Sequence, residues 1–118
     1  MGDLTTNLSR HEFKCHCGCG YDTVDFELVN VIQAGCEYFD TTVSINSGCR
    51  CTQHNKNILG HPKSQHIEAK AADIVYKNVR PELTAAYLNR TYPAKYGIGT
   101  YDTFTHIDVQ PNKKRWGI

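Results

Sequence analysis

Tyr96-Gly97-Ile98-Gly99-Thr100-Tyr101-Asp102-Thr103-Phe104-Thr105-His106-Ile107-Asp108-Val109 reads as two strands joined by a turn at Asp102-Thr103. Aromatic and β-branched residues favour extended chain, and the polar pair between them favours reversal. Side chains alternate between faces along a strand, so His106 and Asp108 share one face while Ile107 and Val109 share the other. The apolar face belongs to a core. The other carries an imidazole beside a carboxylate, a pair able to hold a metal ion or a water bound to one.

Upstream, Ala71-Ala72-Asp73-Ile74-Val75-Tyr76 reads as another strand with Asp73 near its start, and Thr42-Val43-Ser44-Ile45-Asn46 alternates as a strand that Ser47-Gly48 ends. Thr23 or Asp25 can cap a helix beginning near Phe26, because Leu28, Val31, Ile32, Cys36 and Phe39 recur at three- and four-residue steps. Pro81 suits the first turn of a second helix running to about Asn89, with Leu83, Ala86, Tyr87 and Leu88 as helix formers or core. Residues 52–59 read as a short helix carrying His54, and 60–64 as a loop. Residues 1–22 look irregular, held by their cysteines and by Phe13 and Tyr21. This order predicts an α+β fold, a small antiparallel sheet with flanking helices. A length of 118 residues suits a single domain spanning 1–118, with a cysteine-bearing N-terminal segment at about 10–22.

The net charge of +1 implies no strong attraction to nucleic acid or to a membrane surface. Lys113-Lys114-Arg115 reads as a short solvated patch. No apolar run is long enough for a transmembrane helix, and Met1-Gly2-Asp3-Leu4-Thr5-Thr6 has neither the basic nor the apolar region of a secretory signal. A protein made in the cytoplasm is expected, and a monomer. Of the six cysteines, Cys36 falls in the apolar helical pattern and reads as a small buried hydrophobe. Cys15, Cys17, Cys19, Cys49 and Cys51 cluster at C-x-C spacing, compatible with disulfides, free thiols or a second, structural metal.

His66, Asp73 and His106 form a three-donor set suited to Zn²⁺ with a fourth position left for water, the pattern of a catalytic rather than a structural zinc. H-E-x-x-H is absent, and Glu68 after His66 is followed by no P-C-x-x-C, so neither the thermolysin plan nor the zinc deaminase plan applies. His54 and His61 read as structural or surface residues, and Trp116 as C-terminal packing.

Ser64-x-His66-x2-Ala69-x-Ala71-x-Asp73 with the later His106-x-Asp108 resembles the M15 zinc peptidases. Asn46-Ser47-Gly48-Cys49-Arg50-Cys51 followed by His54-Asn55, and Phe13-x-Cys15-x-Cys17-Gly18-Cys19-Gly20, resemble segments of its short phage and bacterial branch. The resemblance covers roughly residues 10–117. It implies a Hedgehog- or D,D-peptidase-like fold. It implies zinc ligands His66, Asp73 and His106, and an Arg50 that contacts substrate or polarises the scissile carbonyl. Ser64 is expected to bond Asp73 or the substrate, or to serve the turn.

Two departures matter. Ala69 stands where the family usually has Gly, and Thr103 stands where many relatives carry the catalytic acid. Asp108 is then the first candidate for the general base and Asp102 the second. By the register of relatives with a His-x-His pair, Asp108 would instead be the third ligand and His106 the catalytic partner. The resemblance implies a zinc peptidase acting on peptidoglycan stem peptides, as a D,D-carboxypeptidase or an endopeptidase. An endolysin, a virion-associated lysin or a wall-remodelling enzyme would fit, with a holin pore or tail injection delivering a phage product. The competing expectations are a catalytically silent, zinc-stabilised cell-wall binding module and a cysteine-rich structural or nucleic-acid module.

Overall fold

The computed structural model describes residues 4–13, 25–48 and 70–117. Within them a short 3-10 helix, Arg10–Phe13, precedes α1 (Phe26–Phe39), β1 (Val43–Ser47), β2 (Ala71–Tyr76), α2 (Pro81–Thr91), β3 (Gly97–Thr100), β4 (Thr105–Asp108) and β5 (Lys114–Trp116). The strands form one five-stranded sheet in the order β1-β2-β4-β3-β5. All neighbours are antiparallel except β3 and β5. The α+β class expected from the sequence is therefore the class observed. The sheet is mostly rather than wholly antiparallel, because Arg115 and its neighbours form a fifth, parallel strand.

Both helices lie on one face of the sheet. Asp25 caps α1 by accepting the Glu27 N–H at 2.8 Å, and Asp40 closes it in the left-handed region at φ 52°. The side of α1 that carries Leu28, Ile32 and Cys36 is buried over β2, and the Tyr76 hydroxyl donates to the Ile32 carbonyl at 2.7 Å. α2 lies over β3 and β4, where the Thr105 hydroxyl donates to the Pro81 carbonyl at 3.1 Å. Tyr87 and Leu88 are buried, but Leu83 and Ala86, read as helix formers or core, are exposed. The inner face of the sheet is apolar, with Ala72, Ile74, Tyr76, Ile98 and Ile107 each no more than 1% exposed. Period-2 alternation then turns the other side chains of β2 and β4, among them Asp73, His106 and Asp108, to the face away from the helices.

Cys36 is 3% exposed; burial first, then the Glu12 and Glu37 carboxylates, push its thiol up to about 11, as suits a packed and unreactive cysteine. One residue earlier, a Cβ on Gly35 would land on the ring and hydroxyl of fully buried Tyr76. Gly35→Ala gains about 0.5–1 kcal/mol of helix propensity. Overpacking costs about 1–3 kcal/mol in a well-filled core, so strain wins. A lowered urea midpoint with an unchanged slope is the expected result; an unchanged or raised midpoint would contradict it.

Arg115, read from the sequence as part of a solvated patch, is a structural clamp. Its Nε donates to the Asn89 side chain at 2.7 Å, its Nη1 to the Tyr96 and Lys114 carbonyls, and its Nη2 to the Tyr92 and Lys95 carbonyls. The guanidinium thereby ties the end of α2 to β3 and to its own strand.

Candidate metal centre

The strand register sets one row of residues across the sheet. Asp73 on β2 is the Cα partner of His106 on β4, His106 is the partner of Gly99 on β3, and Gly99 that of Trp116 on β5. The next row sets Ala71, Asp108 and Gly97 side by side. The glycines are spatial requirements. A Cβ at Gly97 would strike the Asp108 carboxylate, and one at Gly99 would strike the Trp116 indole.

His106 sits between two carboxylates. Its Nδ1 lies 3.1 Å from Asp73 Oδ1 and its Nε2 lies 2.8 Å from Asp108 Oδ2. The Asp73 and His106 side chains are each 12% exposed, and that of Asp108 only 2%. Asp108 Oδ1 accepts the Gly97 N–H at 3.0 Å and the Gln110 N–H at 3.3 Å. Burial alone would lower the His106 pKa. The hydrogen bonds and charges of Asp108 and Asp73 outweigh it and hold the ring above the usual histidine value. Burial likewise pushes Asp108 up, and the bond to His106 with the Gln110 N–H brings it net below the usual carboxylate range.

An aromatic group borders His106. The Trp116 ring centroid is 5.1 Å from the imidazole, Trp116 Nε1–H donates to the Tyr101 hydroxyl at 2.8 Å, and Tyr101 stacks on Phe104. Trp116, read from the sequence as terminal packing, thus lies on the polar face beside His106. Its place could be inferred only from the parallel β3–β5 pairing.

Asp102 and Thr103 are exposed in the β3–β4 turn. His66, Arg50 and Ser64 lie outside the described residues, as do Cys15, Cys17, Cys19, Cys49 and Cys51. Among the sequence-derived candidates the structure brings together Asp73, His106 and Asp108.

A family model described as peptidase M15 matches residues 6–108. The chain belongs to the peptidase M15 family. No curated protein and no solved structure matches it. The M15 match includes the whole Asp73–His106–Asp108 constellation and ends before β5, so Arg115 and Trp116 lie beyond the matched residues. Within the described residues, no helix of this M15 chain is long and apolar enough to cross a membrane.

M15 peptidases are generally zinc-dependent. Among the described residues no group of three or more His, Cys, Asp or Glu side chains is arranged to hold a metal, because Asp108 lies on the far nitrogen of His106 from Asp73. Two candidate donors are hydrogen-bonded neighbours. A tetrahedral zinc with bonds of about 2.1 Å separates neighbouring donors by about 3.4 Å, and Asp73 Oδ1 and His106 Nδ1 stand 3.1 Å apart. An oxygen and a nitrogen donor at that spacing, fixed on adjacent strands, fit one side of a zinc site.

Proposed function

We propose that this M15 chain is a zinc-dependent peptidase that hydrolyses amide bonds in peptidoglycan stem peptides, as an endopeptidase or a D,D-carboxypeptidase. The observation that carries the reading is the Asp73–His106 pair, at a spacing compatible with two zinc donors, on the face of the sheet away from the helices. His66, Asp73 and His106 would hold the ion. Zinc bound there supplies a Lewis acid and a water acidified toward neutral pH.

The chain's own residues supply the rest. The Arg50 guanidinium stabilises the oxyanion that develops on the scissile carbonyl, a role worth roughly 10²–10³ in rate when one donor is removed. Ser64 bonds the substrate or Asp73. A carboxylate of the β3–β4 hairpin, Asp108 or Asp102, takes the proton of the attacking water and passes it to the leaving amine. The likeness to the short phage and bacterial branch supports a lysin, either freed at host lysis or carried in the virion.

The test is mass spectrometry of purified peptidoglycan digested with the protein, before and after chelation and zinc return. Zinc-dependent release of stem-peptide fragments is expected, and their masses name the bond. Thr103, standing where relatives carry an acid, favours one competing account, a silent zinc-held wall-binding module. Stoichiometric zinc with no fragments from any wall type would support that module and refute the peptidase.

A further inference from the structure

The two nitrogens of His106 have different surroundings, and the difference gives Asp108 a role. On the Nδ1 side stands Asp73, a second of the three proposed zinc ligands, 3.1 Å away. On the Nε2 side stands Asp108, 2.8 Å away and nearly fully buried. The backbone holds that carboxylate in place. Its second oxygen accepts N–H groups from Gly97 and Gln110, and the missing Cβ of Gly97 makes the space it occupies.

We infer that Asp108 is a positioning residue: it fixes the His106 ring with its proton on Nε2, leaving Nδ1, on the Asp73 side, as the nitrogen that takes the metal. The inference rests on the zinc reading proposed above and deepens it. A carboxylate on the outer nitrogen of a ligating histidine selects the tautomer, orients the ring and raises its basicity. Asp108 is poorly placed for moving the proton of an attacking water, because both of its oxygens are already engaged with His106 and with two backbone donors. Of the two acids weighed for that task, this leaves Asp102, on the exposed turn of the same hairpin.

Asp108→Asn tests this with almost no change of shape. The amide has one acceptor and one donor end. The Gly97 and Gln110 N–H groups keep the amide oxygen, so the NH₂ faces His106 Nε2, which must then accept. The ring proton moves to Nδ1 and blocks the donor nitrogen. Zinc affinity, read by chelator competition, is expected to fall about 10–100-fold. In metal-free protein above the ring's pKa, long-range ¹H–¹⁵N correlation is expected to show Nε2–H for wild type and Nδ1–H for Asp108→Asn. Gly97→Ala, which displaces the carboxylate while leaving Asp108 itself in place, should lower zinc affinity in the same direction. Asp102→Asn should leave zinc affinity unchanged.

Unchanged zinc affinity and an unchanged tautomer in Asp108→Asn would overturn the inference, and a lost kcat at full zinc affinity would make Asp108 the base instead. A wild-type chain that binds no zinc would overturn the proposed function itself, a result distinct from either.

Discussion

His106→Ala is expected to abolish stem-peptide hydrolysis, lowering kcat/KM by on the order of 10⁴, more than the 10²–10³ typical of losing a single oxyanion donor. The substitution removes a proposed zinc donor and, with the ion, the means of activating water. It also removes the ring that both carboxylates bond. The two carboxylates bond opposite nitrogens of one ring. The prediction therefore includes loss of stoichiometric zinc, measured by elemental analysis alongside the hydrolysis assay. Asp73→Ala should behave in the same way. A His106→Ala protein that keeps zinc and a tenth or more of its activity would remove His106 from the site.

Arg115→Ala is expected to destabilise the fold by about 3 kcal/mol, a drop in Tm of roughly 10 °C for a domain of this size. All five N–H donors of the guanidinium are used, four on backbone carbonyls and one on Asn89. The carbonyls of Tyr92, Lys95 and Tyr96 lie in the connection from α2 to β3, so the clamp supports the strand whose glycines make room for Asp108 and Trp116. Arg115→Lys keeps the charge and loses the fork, and should recover little of the stability. Thermal melts read the effect; a Tm within about 2 °C of wild type would contradict the clamp.

The strength of the sequence signal follows the range of the interactions. The helix from Phe26, the strand 71–76 and the 96–109 hairpin were legible because local periodicity alone sets their buried faces. Alternation was enough to put His106 and Asp108 on one face, and the observed register adds Asp73 directly across from His106. Which nitrogen each carboxylate meets was not legible, since it depends on cross-strand registers and on the space left by Gly97. Strand β5 was missed for a related reason. It is three residues long, pairs in parallel and carries Lys114 and Arg115, so its local composition resembles a solvated tail. Leu83 and Ala86, both exposed on α2, show helix propensity without burial. The sequence put Asp108 ahead of Asp102 as the acid because Asp108 shares a strand face with His106; burial and bonding were not legible there, and they enclose Asp108 while Asp102 is open to solvent.

The most direct test of the central claim is a zinc-return titration. Protein stripped by chelation is supplied with increasing Zn²⁺ while release of stem-peptide fragments from purified peptidoglycan is followed. No release without metal is expected, with a return of activity that saturates at one zinc per chain. Release that is indifferent to chelation, or a zinc-saturated protein that cleaves nothing, would contradict it.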